Sequence, residues 1–177
     1  MRVRAVTPAD LPHILAIDPG YTTEYVWQME ARESDGNMAI AFRTVRLPRS
    51  IRVTYPRNVE ALAQEFERGE GLYLVADEAG RILGYLGLAL QPVSDAGWIT
   101  HLAVARDQRR RGIGTALVEA AVRWGRERGL TRLILETQTK NYPAIRFCQR
   151  LGFVFCGYHD RYYPNQDIAL FFARPIR

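Results

Sequence analysis

The sequence has little cysteine and no long apolar run, and each shortage excludes a class of protein. Its 177 residues include only two cysteines, Cys148 and Cys156. They lack the spacing of a metal-ligand cluster and are too few for a disulfide scaffold, so we expect no metal. No stretch approaches the roughly 20 apolar residues of a membrane helix, and no membrane association is expected. The N-terminus "MRVRAVTPAD" lacks the apolar run of a signal peptide, which predicts a cytoplasmic protein.

What the chain does contain is ordinary for a globular domain, apart from its charge. Apolar residues make up 47% and charged residues 24% of the sequence, and the length suffices for one domain with a sizeable core. The formal net charge is +5 and the pI is near 9.5. A basic chain of this kind is typical of proteins that bind nucleic acid or an anionic cofactor.

The order of the predicted elements indicates an α/β fold. Residues 25–47 alternate in polarity around Asp35-Gly36 and predict a long hairpin, and a second hairpin turns at 78–80. The apolar strand "GWITHLAVA" precedes a helix whose apolar stripe includes Ile113 and Leu117, and the strand "TRLILETQ" follows. Strand, helix and strand form one crossover unit with two parallel strands.

The segment "RDQRRRGIG", residues 106–114, stands at the start of that helix. A helix N-terminus carries unpaired amides and a positive partial charge, and therefore attracts anions. Gly112 and Gly114 let a ligand approach the amides closely, and arginine provides forked donors for phosphate oxygens. The segment predicts a diphosphate site, with a solvated basic turn as the alternative. It is not a P-loop, which requires Lys, nor a dinucleotide fingerprint, which requires Gly where Leu117 stands.

Two motifs resemble those of the GNAT superfamily of N-acetyltransferases. The first follows the strand ending "HLAV" and consists of Arg109, Gly112 and Gly114. The second lies within "LETQTKNYPAIRFCQRLGF", where the family's closing motif is matched by Asn141, Ala144, Gly152 and Phe153. The two motifs stand in the family's order and spacing, and the resemblance covers residues 97–160.

The resemblance implies a single domain over residues 1–177 with an α/β fold of the GNAT type. In that fold a mixed, twisted sheet is flanked by helices, and its central parallel strands splay apart to admit acetyl-coenzyme A. The residues that the resemblance brings to this cofactor are Leu102, Ala103, Val104, Arg109, Arg110, Arg111, Gly112, Ile113, Gly114, Thr115, Asn141, Ala144 and Phe147.

Within the superfamily the chain is most similar to the streptothricin acetyltransferase group. The similarity lies in the stretches "YVWQM", "LETQTKN" and "DIALFFARPIR". It implies transfer of acetyl from acetyl-coenzyme A to a primary amine of a small molecule, with a streptothricin-like antibiotic as one acceptor. Acetylation of protein N-termini or lysines, and a non-catalytic acyl-coenzyme A sensor, are the alternatives. A homodimer is left open.

The chemistry needs a donor for the oxyanion and an acid for the leaving thiolate. The resemblance assigns the first role to the backbone N–H of Val104. For the second role the family has a tyrosine where this chain has Cys148. A thiol can donate a proton, but it is a weaker hydrogen-bond donor than a phenol, and a buried structural cysteine is the alternative. Tyr158 or a neighbour, Tyr162 or Tyr163, is a candidate replacement.

The base that deprotonates the amine is also open, because Thr100 stands where streptothricin-type relatives carry a glutamate. His101 has a suitable pKa range, although strand alternation places it on the opposite face from Thr100. Glu136 is a second candidate, with pairing to an arginine as its alternative. The remaining candidates for the base are Glu24, Glu30 and a chain of water molecules with no dedicated base.

A cationic acceptor favours carboxylates and aromatic rings around it. The stretch "YTTEYVWQME" provides Glu24, Tyr25 and Trp27, and we expect these residues and Thr100 to contact the acceptor. An ordinary amphipathic strand is the alternative. A nucleic-acid-binding module is a rival for the whole chain, but the arginines cluster at one helix start and no base-reading motif is found, so we expect no nucleic acid.

Overall fold

The computed structural model describes residues 1–69, 71–91 and 95–176. Its strands are β1 (Arg2–Ala5), β2 (Tyr21–Ser34), β3 (Asn37–Val53), β4 (Leu72–Glu78), β5 (Arg81–Leu90), β6 (Ala96–Val104), β7 (Arg132–Gln138), β8 (Val154–His159) and β9 (Ala169–Pro175). Its helices are α1 (Leu11–Leu15), α2 (Glu60–Glu67), α3 (Ile113–Glu127) and α4 (Tyr142–Arg150). Short 3₁₀ turns span Pro8–Asp10 and Arg106–Gln108.

Seven strands form one mixed sheet in the order β1-β4-β5-β6-β7-β9-β8, and β2 and β3 form a separate two-stranded ribbon. Within the described residues, β6 and β7 are the one pair that runs parallel. They pair from Ala96 opposite Arg132 to Ile99 opposite Leu135. Both strands then continue without pairing to each other, to Val104 and Gln138. The predicted parting of the central strands is therefore confirmed.

Both predicted hairpins are present, and each turns through two residues with positive φ angles, the second of which is a glycine. Asp35 and Gly36 have φ of 51° and 76°, and Ala79 and Gly80 have φ of 52° and 86°. Two consecutive positive φ angles match the twist of the strands on either side. The β2–β3 ribbon pairs from Ser34 opposite Asn37 back to Tyr21 opposite Val53, with one irregularity after Thr23.

Helices cover both faces of the sheet. On one face α3 buries Leu117, Val118 and Ala121 against strand residues such as Leu133. On the other face α1 and α2 bury Ile14 and Leu62 in a separate cluster. The sheet is thus enclosed between two apolar layers, and the parted ends of β6 and β7 lie between them.

The first helices of the chain are short. Thr7 precedes the 3₁₀ turn Pro8–Asp10, and α1, which follows it, contains only five residues. Such a short helix cannot bury a full apolar face, so Ile14 is buried whereas Leu15 is 43% exposed. Just before α2, the Asn58 side chain accepts a hydrogen bond from the Glu60 amide at 2.9 Å.

Every helix in the described ranges is too short or too polar to cross a membrane.

Candidate active site

The start of α3 is built to leave backbone amides open. Gly112 precedes the helix with a φ of 80°, in the left-handed region, and no side chain caps the first turn. The amide of Ala116 is the first to bond back, to the Gly112 carbonyl at 2.9 Å. The amides of residues 113–115 therefore keep the unpaired donors and the positive dipole end of the helix.

These amides face a cavity of about 530 Å³ between β6, α3 and α4. All the residues predicted to bind acetyl-coenzyme A, apart from Arg111, line it. Its wall consists of Pro19, Tyr21, Leu102, Ala103, Val104, Arg109, Arg110, Gly112, Ile113, Gly114, Thr115, Asn141, Pro143, Ala144, Phe147, Arg150 and Leu151. The sequence therefore brings one continuous set of residues to one side of the parted strands.

The three consecutive arginines have different environments. The Arg109 guanidinium donates to the carbonyls of Val104 at 3.0 Å, Gly20 at 2.9 Å and Asp18 at 3.1 Å. It therefore ties the loop before α3 to the loop before β2. Arg111 donates to the Gln108 side chain. Arg110 is exposed on the cavity wall, which leaves it better placed than Arg109 to meet an anion.

The opposite wall comes from one face of α4. Asn141 caps this helix, its side chain accepting from the Ala144 amide at 3.1 Å. Ala144, Phe147 and Leu151 recur at spacings of three and four residues and share the wall. Phe147 lies so close to α3 that a Cβ on Gly114 would stand 3.3 Å from its ring. A glycine at 114 is therefore favoured by helix packing as well as by ligand access.

The parting of the strands exposes the amide of Val104. The Ala105 amide donates to Leu83 on β5 at 2.8 Å. Because amide directions alternate along a strand, the N–H groups of Val104 and Leu102 point away from β5, towards the gap where β7 has diverged. Both residues line the cavity. The gap therefore presents a strand edge with unpaired donors.

A second cavity, of about 320 Å³, lies beside the first, and Pro19 belongs to both walls. Its wall consists of Leu15, Asp18, Pro19, Thr54, Tyr55, Arg57, Asn58, Val59 and Glu60. Tyr55 connects it to the gap, because its hydroxyl lies 3.4 Å from the Thr100 carbonyl on β6. Burial raises the pKa of Tyr55, so the phenol is neutral and remains a donor.

A buried ion pair forms the inner end of this second wall. The Glu136 side chain has no exposed surface, and its Oε1 accepts from Arg57 Nε at 2.9 Å and lies 2.7 Å from Nη2. Its Oε2 accepts from Trp98 Nε1 at 2.9 Å and from the Tyr162 hydroxyl at 3.1 Å. Both oxygens of the Glu136 carboxylate are therefore engaged by neighbouring side chains.

Comparison with protein families identifies the architecture. The model of the acetyltransferase (GNAT) family matches residues 39–153, well over half of the chain. The chain belongs to the acetyltransferase (GNAT) family. The match includes both motifs from which the resemblance was inferred.

Individual relatives agree with this assignment. Streptothricin acetyltransferase from Streptomyces lavendulae is 27% identical over 180 residues, covering 97% of this chain and 93% of that protein. The crystal structure of a nourseothricin acetyltransferase has a TM-score of 0.84 and 25% identity, covering 99% and 98% of the two chains. A protein from Bacillus anthracis str. Ames, crystallised with acetyl coenzyme A, has a TM-score of 0.80 and 21% identity, covering 98% of each chain. The predicted GNAT-type fold is confirmed.

In this GNAT chain, Cys148 lies in the core. Its side chain is fully buried with the apolar residues under α4, whereas its neighbour Phe147 lines the cavity. Burial raises the pKa of the Cys148 thiol to about 12. This environment corrects the interpretation of Cys148 as an acid, because a thiol without access to the cavity cannot protonate a ligand there. It favours the alternative of a small structural residue.

Neither of the two base candidates on the central strands lines a cavity. Glu136 pairs with Arg57, as its alternative interpretation proposed. His101 is 1% exposed, and its Nε2 lies 3.3 Å from Glu65 Oε2 without hydrogen-bond geometry. Burial lowers the pKa of His101. It faces α2 rather than either cavity, which corrects its assignment as a base that contacts the acceptor.

The ribbon residues predicted at the acceptor site lie elsewhere. Tyr25 packs against Tyr142 with tilted rings whose centroids are 5.3 Å apart, and Trp27 packs against Phe42 and Phe172. These two side chains fix the ribbon on α4 and β9, which corrects their expected contact with the acceptor and favours the amphipathic strand. Glu24 is exposed and lines neither cavity.

Three other predicted residues are placed as follows. Tyr158 lies on β8, the edge strand of the sheet, where its ring packs against Phe42 of the ribbon, away from the gap. Thr100 reaches the gap through its carbonyl. Glu30 pairs with Arg43 across the ribbon at 3.2 Å.

Some wall residues escaped the sequence reasoning. Pro143, Arg150 and Leu151 could have been found, since they share the helical face of Ala144 and Phe147. The residues of the second cavity carry no such signal. Tyr55 and Arg57 stand in an irregular stretch between β3 and α2, and only the tertiary structure brings that stretch to the gap.

Proposed function

We propose that this chain transfers an acetyl group from acetyl-coenzyme A to a primary amine of a small molecule, as one domain over residues 1–177. The observation that carries the proposal is the cavity where β6 and β7 part, with the open amides of α3 at one end and the free strand edge of Val104 beside it. Membership of the GNAT family supports the same activity.

The wall residues fit acetyl-coenzyme A chemically. The amides of residues 113–115, together with the guanidinium groups of Arg110 and Arg150, suit the oxygens of a diphosphate. The strand edge at Leu102 and Val104 suits the amide groups of a pantetheine chain, which it binds as a neighbouring strand would. The basic net charge of the chain is thereby explained by an anionic coenzyme rather than by nucleic acid.

The chain's own contribution to the chemistry is mainly positioning and electrostatic. The Val104 N–H donates to the thioester carbonyl and stabilises the negative charge that develops on its oxygen. The amine loses its proton to water, because the Glu136 carboxylate is held by four donors and Thr100 provides no base. The new amide bond forms as the carbon–sulfur bond of the thioester breaks, and the released thiolate takes its proton from water, because the buried Cys148 takes no part.

A streptothricin-like antibiotic is the acceptor that the relatives support, since two of them are named for streptothricin or nourseothricin acetylation and align over nearly the whole chain. The cytoplasmic location and the homodimer stay predictions.

The test is a thiol-release assay with acetyl-coenzyme A and a panel of streptothricin, polyamines, aminoglycosides, and peptides with free N-termini or lysines. Release with a small amine supports the proposal. Release with peptides alone replaces it with a protein acetyltransferase, and acetyl-coenzyme A binding without release for any amine replaces it with a sensor.

A further inference from the structure

Tyr21 bridges the two strands that part. It is the first residue of β2, and the carbonyl of the preceding Gly20 accepts from the Arg109 guanidinium at 2.9 Å. The same guanidinium donates to the Val104 carbonyl at 3.0 Å, which holds the main chain of Tyr21 beside the end of β6. The Tyr21 hydroxyl reaches the other strand, where it donates to the Gln138 side chain at 2.6 Å. The phenol therefore crosses the gap next to Val104.

The hydroxyl of Tyr21 faces the strand edge that suits the thioester. Among the tyrosines of the described ranges, Tyr21 is the one that lines the first cavity. Ile99 and Leu135 are the last parallel pair of the two strands. Three residues further on, Leu102 and Gln138 stand on opposite sides of the gap. A thioester held at the β6 edge therefore lies within reach of the O–H group that Tyr21 brings to β7.

The Gln138 side chain is fixed so that its oxygen faces Tyr21. Its Nε2 atom donates to Asp167 at 2.6 Å, and Asp167 also accepts from Lys140 at 2.7 Å. A carboxamide whose nitrogen donates on one side presents its oxygen, an acceptor, on the other. The Tyr21 proton points at this oxygen, and the hydrogen bond holds the phenol at the gap before any ligand binds.

The phenol keeps its proton and acts as a donor. Burial raises the pKa of Tyr21, and the negative charge of Asp167 acts in the same direction. A hydrogen bond to a charged acceptor contributes about 1.5–3 kcal/mol, against about 0.5–1.5 kcal/mol for a neutral one. A thiolate therefore competes with the neutral Gln138 carboxamide for this donor, whereas the sulfur of an uncharged thioester does not. An interaction that forms only as charge develops stabilises the transition state more than the bound substrate.

We propose that Tyr21 is a catalytic residue of the acetyl transfer, whose hydroxyl turns from Gln138 to the coenzyme sulfur and stabilises the leaving thiolate. The proposal rests on the acetyl transfer proposed above. As the amine nitrogen bonds to the carbonyl carbon, the electron pair of the breaking carbon–sulfur bond passes to sulfur, and the Tyr21 O–H donates a hydrogen bond to it. The proton stays on the phenol oxygen, and water supplies the proton that sulfur finally takes up. Tyr21 thereby stabilises the charge that the buried Cys148 cannot reach.

The first experiment measures binding and needs no acceptor. Calorimetry compares coenzyme A with desulfo-coenzyme A, in which hydrogen replaces the thiol group, at about pH 7 and about pH 10, on either side of the reference pKa of a thiol. The variants are Tyr21→Phe, which removes only the hydroxyl, and Gln138→Met, which removes its acceptor. Tyr85→Phe is the matched control, because Tyr85 is also a buried tyrosine with a raised pKa but lies outside the cavity wall.

The ratio of the two affinities isolates the sulfur atom. We expect the affinity of the wild type for coenzyme A, relative to the desulfo analogue, to rise between the two pH values, because donation by Tyr21 favours the thiolate. At the alkaline pH this ratio is expected to be lower in Tyr21→Phe by about tenfold or more, as for the loss of a hydrogen bond to a charged group. A purely structural defect weakens both ligands alike and leaves the ratio unchanged.

The controls keep the wild-type ratio, since Gln138→Met and Tyr85→Phe both leave the Tyr21 hydroxyl in place. Thermal unfolding at each pH shows that the variants keep the fold, and the comparison of Tyr21→Phe with Tyr85→Phe decides the inference even without Gln138→Met. A wild-type ratio that does not rise with pH overturns the inference. So does an alkaline ratio that is the same in Tyr21→Phe as in the wild type, or that falls equally in Gln138→Met.

The second experiment measures acetyl transfer to an amine that the thiol-release panel identifies. Because Tyr21 donates to sulfur only when sulfur is charged, Tyr21→Phe is expected to lower kcat and kcat/KM for acetyl-coenzyme A together by about tenfold, with KM within about twofold of the wild type. Tyr85→Phe keeps both values. An unchanged kcat in Tyr21→Phe overturns the inference. Failure of every amine contradicts only the proposed function, and the binding ratios then decide the inference by themselves.

Discussion

Ile99 and Leu135 are the last residues at which β6 and β7 pair as parallel neighbours. Beyond these residues two tyrosine side chains reach into the gap. The Tyr55 hydroxyl donates to the Thr100 carbonyl on β6, and the Tyr21 hydroxyl donates to the Gln138 side chain on β7 at 2.6 Å. The strands are thus held apart by side chains that bond to each of them separately. The role proposed for Val104 depends on this parting, because a closed ladder would occupy its amide.

Replacing Gly112 with Asp is expected to weaken coenzyme A binding at least about tenfold. The position is exposed, with nothing within 4 Å of an added Cβ, so the fold tolerates the side chain. A carboxylate at the start of α3 occupies the helix N-terminus and repels the diphosphate. Isothermal calorimetry with coenzyme A measures the change.

Gly129→Asp is the matched control for this variant. Gly129 follows the other end of α3, is also exposed, has a φ of 72°, and likewise has nothing within 4 Å of an added Cβ. It suffers the same left-handed strain, of about 1 kcal/mol, far from the cavity. The site is misassigned when both variants bind coenzyme A as the wild type does, or when both lose it equally.

Arg109→Met is expected to lower the free energy of unfolding by about 2 kcal/mol, because three carbonyl groups lose a charged donor. Coenzyme A binding weakens as well, since the loop before β2 is no longer held against the cavity wall. Urea unfolding and calorimetry give the two quantities.

The neighbouring variant Arg110→Gln separates structure from binding. Arg110 is exposed and lines the cavity, so its loss is expected to weaken coenzyme A binding while leaving the free energy of unfolding within about 0.5 kcal/mol of the wild type. An equal fall in the free energy of unfolding in the two variants would show that the hydrogen bonds of Arg109 stabilise the fold no more than the exposed Arg110 does.

Cys148→Ala is expected to leave kcat and its pH profile unchanged and to lower the free energy of unfolding by roughly 1 kcal/mol. The thiol is fully buried, so its removal leaves a small cavity in the core and nothing in the active site. Steady-state kinetics between pH 6 and about 9.5, which spans the reference thiol pKa, and urea unfolding provide the measurements. A shifted alkaline limb of the pH profile would restore Cys148 to the mechanism.

Asp10 is expected to make the fold sensitive to acid. The Arg4 guanidinium, with contacts of 2.7 and 2.8 Å, holds the pKa of this carboxyl well below its ordinary value of 3.8. Because the folded pKa is depressed, the stabilisation is complete above the unfolded value and is lost as the pH falls below about 4. Asp10→Asn is expected to be less stable at pH 7 and to show a shallower loss between pH 5 and pH 3.

Urea unfolding at several pH values tests this, with the exposed Asp160→Asn as the control. The control keeps the wild-type slope. An Asp10→Asn protein whose stability falls with acid as steeply as that of the wild type would place the acid sensitivity elsewhere.

Local features of this protein could be read from the sequence because their causes lie within a few residues. The turns at Asp35-Gly36 and Gly80, the Asn141 cap and the left-handed Gly112 are each decided by backbone sterics and short-range hydrogen bonds. The same holds for the crossover from β6 to β7, whose hand follows from strand twist. Motif spacing then added the family and, with it, the parting of the strands.

Only the tertiary structure decided which environment each of several chemically identical side chains has. Arg109 and Arg110 are neighbours, yet one is bound to carbonyls about 90 positions away and the other is exposed on the cavity wall. Arg57 and Glu136, which form a buried ion pair, are 79 positions apart, and Cys148 is buried by residues of several elements. Such environments depend on contacts between distant segments, and the pattern of a single segment contains no information about them.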